Sequence, residues 1–497
     1  MKKIINQLGP ILILLGLGIV MLSGHLKKPF YGHHDFNSVY FSTMARNYLR
    51  YGLVTTKLGQ VTNSGIVLPQ EFNWHTHFPS LFPLLLAFNY RILGESEVAG
   101  RLLPLSFSLL SVLFLYAISQ ELKLSRLAGL ATGLILFTPM LRYFGSLPVH
   151  EPLVVAVSLA SVWFYLKRQF KLLYLTALIN GFLSWPGYFL YPLLSFHALV
   201  SNRKYFKKTL LALVILLTTL SLHFGHVYIL TGNPLGGGLL KALMFRLNLM
   251  PQNGGPDLVG FTLKKLIIQE ARWITVYYTK LVVFFGLATA GVIGWKMIFL
   301  KKFDRLSSVL LLLLSFGLSY QLVLPNIVFI HDYFNIYFYP YFALSLSFWI
   351  EKIVSRSSQI AIVFLVALSL LIYRERTEFF RALENSNMHQ TGFTLGKLIA
   401  EVVPPGENAV VFSINYADHH GVFINYYADR QISFQGYGLD GWADFLQISS
   451  DTLNAFTVID HRLDNGVIDK ALATQAASMS NFGNFNFYRL NQGAKIN

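Results

Sequence analysis

Long apolar stretches recur along the chain between short polar loops, at 8–24, 101–120, 127–146, 151–166, 172–185, 187–200, 209–229, 276–295, 306–324, 333–350 and 358–373. About 20 mostly apolar residues suffice for a helix to cross the hydrocarbon of a bilayer, so this alternation predicts about eleven membrane spans. Two of them, 172–185 and 187–200, are short and flank Trp185-Pro186-Gly187. They read as a tight or re-entrant hairpin, whose irregular backbone must be buried in protein or line a wet cavity. A twelfth apolar stretch, Phe78 to Leu93, is read as a helix lying along the membrane surface. Counting it as a span would turn the basic loop Lys123/Arg126 outward.

Lys/Arg bias sets the orientation. With the N-terminus inside, the basic groups Lys123/Arg126, Lys167/Arg168/Lys171, Arg203/Lys204/Lys207/Lys208, Lys296/Lys301/Lys302/Arg305 and Lys352/Arg356 all fall on the cytoplasmic side. The first apolar run follows Lys2 and Lys3 without a small-residue cleavage site after it, so it is expected to remain as an anchor. Residues 1–373 then form a transmembrane domain with outer loops at 25–100 and 230–275, and 374–497 form an extracytoplasmic domain. That tail opens with Pro404-Pro405-Gly406. Its runs Ala409–Ile414, Gly421–Tyr427, Ala455–Asp460 and Asn484–Leu490 read as strands of a small α/β domain. The expected location is the inner (plasma) membrane.

The composition narrows the chemistry. Of 497 residues 54% are hydrophobic and only 13% charged, against roughly 25% charged in soluble domains, which excludes an ordinary soluble enzyme. The net charge of +16 is explained by the inner loops, with no nucleic acid needed as partner. There is no cysteine, so thiol nucleophiles, Fe–S clusters and Cys-ligated zinc are excluded. Carboxylates, histidines and hydroxyls remain.

Four ionisable clusters share the predicted outer face: His33-His34-Asp35, His75-Thr76-His77, His150-Glu151-Pro152 and His331-Asp332-Tyr333. Polar groups beside hydrocarbon are costly and tend to be functional. Asp35 opens a helical stripe of Phe36, Tyr40, Met44, Tyr48 and Tyr51 closed by Gly52, so it reads either as an N-cap or as a carboxylate serving as general base. Glu151 before Pro152 reads either as a first-turn acid or as a second active-site carboxylate. His331 is either a buried structural histidine or a group for phosphate contact or proton transfer. The histidines and acids together could supply a divalent metal shell, although no HExxH-type spacing occurs. The glycines of 236–238 and 254–255 carry no nucleotide fingerprint and are read as a mobile loop over the site.

The run His34-Asp35-Phe36-Asn37 through Ala45-Arg46-Asn47-Tyr48-Leu49-Arg50-Tyr51-Gly52, then His75-Thr76-His77-Phe78-Pro79, Gly94-Glu95-Ser96-Glu97 and Arg101, resembles the N-terminal half of the GT-C membrane glycosyltransferases. The protein mannosyltransferases and aminoarabinose lipid A transferases are the nearest of these. His331-Asp332-Tyr333 with Pro340 is similar to their histidine-tyrosine-proline motif, and the resemblance covers residues 1–350. It implies an α-helical GT-C fold and an inverting transfer of sugar from a polyprenyl-phosphate donor to a hydroxyl acceptor, at a lipid bilayer and without a nucleotide. By the same resemblance Asp35 activates the acceptor and Glu151 occupies the second acidic motif, where His-Glu-Pro replaces the commoner aspartate. His77 falls where relatives carry a histidine or glutamate before proline. Phe78 replaces the lysine that contacts phosphate in the aminoarabinose transferases, so another cation is required. His34, His77, Arg142, Arg272, His331 and Tyr333 are the expected substrate-binding residues. No cofactor is required beyond a possible divalent metal. An oligosaccharyltransferase or ligase moving a preassembled glycan, and a lipid-sugar transporter, are the alternatives.

Overall fold

The computed structural model describes residues 2–247, 249, 262–300, 304–412, 420–435, 456–460, 467–474 and 476–490. The chain divides into two compact units: one of residues 1–27 and 75–384, the other of residues 28–74 and 385–497. The segment 28–74 of the first outer loop therefore belongs with the tail, whereas the sequence grouped it with the spans.

The larger unit is helical. Among the described residues, five helices are long and apolar enough to cross a membrane: Glu97–Glu121, Arg203–Thr231, Leu263–Ile298, Arg305–Val323 and Ser358–Glu375. Their exposure separates lipid-facing from interior helices. Ser358–Glu375 exposes Ile360, Val363, Val366 and Leu370 at more than half of their surface, which is what hydrocarbon contact permits. In contrast, Glu151–Leu166 and Tyr339–Val354 are buried on nearly every side, as helices apolar all round must be. Tyr339–Val354 packs against Leu263–Ile298, Arg305–Val323 and the Arg126–Phe137 segment.

Two expected spans are built differently. Residues 127–146 form Arg126–Leu130, a 3-10 turn Ala131–Phe137 and a short helix Pro139–Phe144. The 333–350 stretch begins as a 3-10 segment, Asp332–Phe338, before the helix from Tyr339. The hairpin at Trp185 is present as Phe170–Leu183, a 3-10 turn Trp185–Phe189 and Leu190–Ser201. Phe78–Leu93 contains the helix Leu81–Leu93.

Leu263–Ile298 has 36 residues, about 54 Å at 1.5 Å per residue, far more than a bilayer core of about 30 Å. It breaks at Thr279, whose φ of 70° is left-handed. The helix restarting there has its own exposed N–H groups. Lys280 N–H donates to Glu375 Oε1 at 2.7 Å, Leu281 N–H to Oε2 at 3.4 Å and Val282 N–H to Thr279 Oγ1 at 3.4 Å. A carboxylate from the last turn of Ser358–Glu375 thus caps the membrane half of its neighbour.

The smaller unit holds a five-stranded sheet in the order Gln431–Gln435, Asn408–Phe412, Phe456–Asp460, Phe485–Leu490, Ala476–Phe482. The first three strands are parallel, with Asn408 opposite Gln431 and Ala409 opposite Phe456; the last two pair antiparallel. Three of the four expected strands are there, apart from Ser413, Ile414 and Ala455, which lie outside the described residues. The fourth is not: Gly421–Tyr427 lies within a helix, His420–Ala428. Its β-branched and aromatic residues favour a strand locally, but the connection between the parallel strands Asn408–Phe412 and Gln431–Gln435 must cross over the sheet. Ile424 and Ala428 pack on the sheet with Leu395, Ile399 and Val411. Phe423, Tyr426 and Tyr427 form a second cluster with Phe30 and Val39 of the first loop.

Candidate active site

In the larger unit the polar side chains gather around Arg246. This residue ends the short helix Leu239–Arg246 of the second outer loop and is 8% exposed. Its guanidinium sits over the Phe78 ring, 4.7 Å from the centroid. Phe78 in turn lies 4.6 Å from the His150 ring and 5.9 Å from that of His75, and His75 is 4.8 Å from His77. Arg246 is thus a cation that the fold brings to the Phe78 ring, and it is not among the residues that the sequence singles out. Nothing local marks Arg246, because its partners lie about 95 and 170 positions earlier in the chain. Only the motif's missing lysine signalled that it should exist.

Burial lowers Arg246 from its usual value, yet a guanidinium stays charged in proteins. Its charge acts on the imidazoles. Burial first, then Arg246, pulls His77 down to about 4, partly opposed by a hydrogen bond with Gly237 backbone. Burial, His77 and Arg246 hold His75 well below the usual histidine range. Both rings are therefore neutral at pH 7, beside a buried cation.

Glycines close the site from the second loop. Thr76 Oγ1 donates to the carbonyls of Gly236 (2.9 Å) and Gly237 (3.2 Å). Gly237 and Gly238 are left-handed at φ 62° and 79°, and a Cβ on Gly237 would meet Thr76 Oγ1 at 2.6 Å. A Cβ on Gly238 would lie 3.4 Å from His77 Nε2. These glycines are here a close approach to the 75–77 strip; Gly254 and Gly255 lie outside the described residues. From the hairpin, Trp185 Nε1 donates to the His77 carbonyl at 2.6 Å.

The other expected residues of this unit fall as follows. Glu151 is 1% exposed, with Oε1 3.0 Å from His150 Nε2, so it is joined to the Arg246 group through His150 and Phe78. Tyr333 is buried, 5.3 Å from the His331 ring and 6.1 Å from Phe144. Arg142 is enclosed by aromatic faces, 3.5 Å from the Phe380 centroid and 4.8 Å from Tyr373. Arg272 is exposed. It sits about 200° around the helix from Glu270, which is buried on the same face as Tyr277. Tyr277 donates its hydroxyl to Asp332 Oδ2, and Glu270 lies beside Asp332 and Asn335. Glu270 was not singled out by the sequence, where it is one charge among several in an amphipathic turn.

Asp35 belongs to the smaller unit. It is 2% exposed and is the first residue of the helix Asp35–Thr55, whose N-cap is His34, so it is not itself the cap. Its Oδ2 accepts from Gly32 N–H at 2.9 Å and its Oδ1 from Ser38 Oγ at 2.8 Å. His34 is left-handed at φ 60°, a conformation that costs a non-glycine residue of order 1 kcal/mol or more and is held only where neighbours over-determine it. The His33 and His34 rings lie 4.1 Å apart.

For a metal, the neutral imidazoles of His75 and His77 are suitable donors. Among the described residues of the larger unit no three histidine or carboxylate groups converge on one point.

The sequence matches no protein-family profile and no curated protein. The structure does find counterparts. ArnT from Cupriavidus metallidurans bound to undecaprenyl phosphate aligns with a TM-score of 0.61 at 13% identity, over 97% of this chain and 98% of that one. The same protein in the apo state gives 0.60 at 13% identity, over 97% and 98%. The apo oligosaccharyltransferase of Archaeoglobus fulgidus gives 0.57 at 14% identity, over 95% of this chain and 72% of that one. At such identity the likeness is one of fold. The chain is a helical membrane protein of the GT-C fold with a small C-terminal α/β domain, the architecture that its motifs implied.

Proposed function

We propose that this protein is an inverting membrane glycosyltransferase that moves a sugar from a polyprenyl-phosphate donor to a hydroxyl acceptor on the outer face of the inner membrane. The observation that carries the reading is Arg246: a cation 8% exposed, stacked on Phe78 and bordered by two neutral histidines. A buried charge costs several kcal/mol unless an opposite charge answers it, and a phosphate monoester is such a partner.

The reaction breaks the bond between the sugar's anomeric carbon and the phosphate oxygen, and the electron pair leaves on the phosphate. Arg246 stabilises the charge that develops there, in a dry site where preorganised donors are most effective. His77 and His75 add ring N–H donors, and Tyr333 and His331 flank the lipid phosphate. The acceptor oxygen attacks the anomeric carbon with inversion, and the base proposed to take its proton is Asp35, whose carboxylate is oriented by Gly32 N–H and Ser38 Oγ. Glu151 holds His150 against Phe78 and so shapes the phosphate end of the site.

The test is transfer from a panel of radiolabelled polyprenyl-phosphate sugars into membranes containing the purified protein, with and without chelator. Wild type is expected to use one donor and Asp35→Asn to fold and insert but not transfer. Wild-type turnover by Asp35→Asn would remove the base from the mechanism. Incorporation only from lipid-linked oligosaccharides would favour the ligase reading, and movement of donor without transfer the transporter.

A further inference from the structure

We propose that the C-terminal domain positions the base, with Tyr427 and Asp429 as the positioning residues that aim Asp35; this rests on Asp35 being the base. Asp35 and the tail belong to one compact unit, and the tail grips both ends of the chain that carries the carboxylate.

At the near end, Phe30 N–H donates to Tyr427 Oη at 2.7 Å, and His389 N–H donates to the Tyr31 carbonyl at 3.0 Å. These bonds anchor residues 30–31, immediately before Gly32, whose N–H donates to the Asp35 carboxylate. They lie three and four residues before His34, which is left-handed at φ 60° and needs outside restraint to stay so. At the far end, Asp429 takes Arg50 Nη2 at 2.5 Å and Arg46 Nη1 at 3.3 Å. Arg46 also stacks over Tyr426 at 4.5 Å and donates to its carbonyl at 2.9 Å. Between the two grips, Val39 packs with Phe423, Tyr426 and Tyr427. A helix held at both ends transmits its orientation to its first residue.

The contacts are of a kind that a conservative change can remove singly. Tyr427→Phe deletes one hydroxyl and keeps the ring. Asp429 is itself left-handed at φ 48°, a conformation asparagine accepts, so Asp429→Asn removes the charge without disturbing the turn.

The experiment uses the full chain in nanodiscs, with hydrogen exchange of peptides across 30–51 and steady-state transfer measured on the same preparations. Both variants are expected to exchange faster at 30–42 while the sheet strands Asn408–Phe412 and Phe456–Asp460 keep wild-type protection. A misplacement of about 1 Å can cost a hundredfold in rate. The expected fall in kcat is therefore about tenfold to a hundredfold, with KM for the donor unchanged. Wild-type kcat in both variants, with Asp35→Asn inactive, would overturn the positioning role alone. Full activity of Asp35→Asn would overturn the base, and this proposal with it.

Discussion

At the scale of single residues, the molecule uses long-range placement to set protonation. His77 sits in a short strip between helices whose sequence suggests an ordinary histidine, yet burial and Arg246 pull it to about 4. Because this lies below the unfolded value of about 6.5, its neutral form contributes stability that is fully present above pH 6.5 and fades as pH falls toward 4. Arg246→Gln should move His77 back up toward 6.5 and weaken polyprenyl-phosphate binding. Histidine-selective NMR titration and a binding isotherm check the two outcomes. Asp429 has the same sign in a lower pH window, for a different reason. Burial pushes its carboxyl up, but the charges of Arg46 and Arg50, with hydrogen bonds from Arg50 and Gly65, bring it below the usual range. Its contribution is therefore present above about pH 4 and is lost as pH falls through the lowered value. The exchange protection of residues 46–50 should hold at neutral pH and drop only below about pH 4 in wild type, and be absent throughout in Asp429→Asn.

Among the elements, the places where local preference and observed structure part have identifiable causes. His420–Ala428 is helical although Val422, Phe423, Ile424, Tyr426 and Tyr427 favour strand, because a crossover helix lets one face cover the sheet and the other receive the first-loop helix. Gly65 shows the reverse economy. At φ 68° it lets the first loop pass so near the Gln431–Gln435 strand that a Cβ would lie 2.5 Å from Gln431 N. The break at Thr279 solves a length problem, dividing a helix longer than a bilayer core into two without an interruption in the sequence. Its stability depends on the Glu375 cap. Loss of a cap costs about 0.5–2 kcal/mol, so Glu375→Ala should lower the unfolding midpoint in detergent by a few degrees, measured by intrinsic fluorescence. An unchanged midpoint would assign the cap to Thr279 alone.

For the whole molecule, the bias of Lys and Arg predicts an orientation that the absence of cysteine makes simple to examine. Asn202→Cys, beside the basic run at 203–208, should react with an impermeant maleimide only from the cytoplasmic side, and Asn387→Cys only from the outside; the opposite pattern would invert the topology. Spans, basic loops and the α/β character of the tail were legible because apolar length and charge bias are local properties of the chain. So were Asp35, His77 and Glu151 as candidates, each set in a short motif. Sequence alone could not tell which of them meet. It singled out Arg142 and Arg272, but the fold wraps the first in Phe380 and Tyr373 and turns the second outward, and it brings Arg246 instead to the face of Phe78. Nor could it join residues 28–74 to the tail. Hydrophobic periodicity determines what each segment becomes, whereas the partners of a buried charge are chosen by packing between segments hundreds of residues apart, and only the folded chain contains that information.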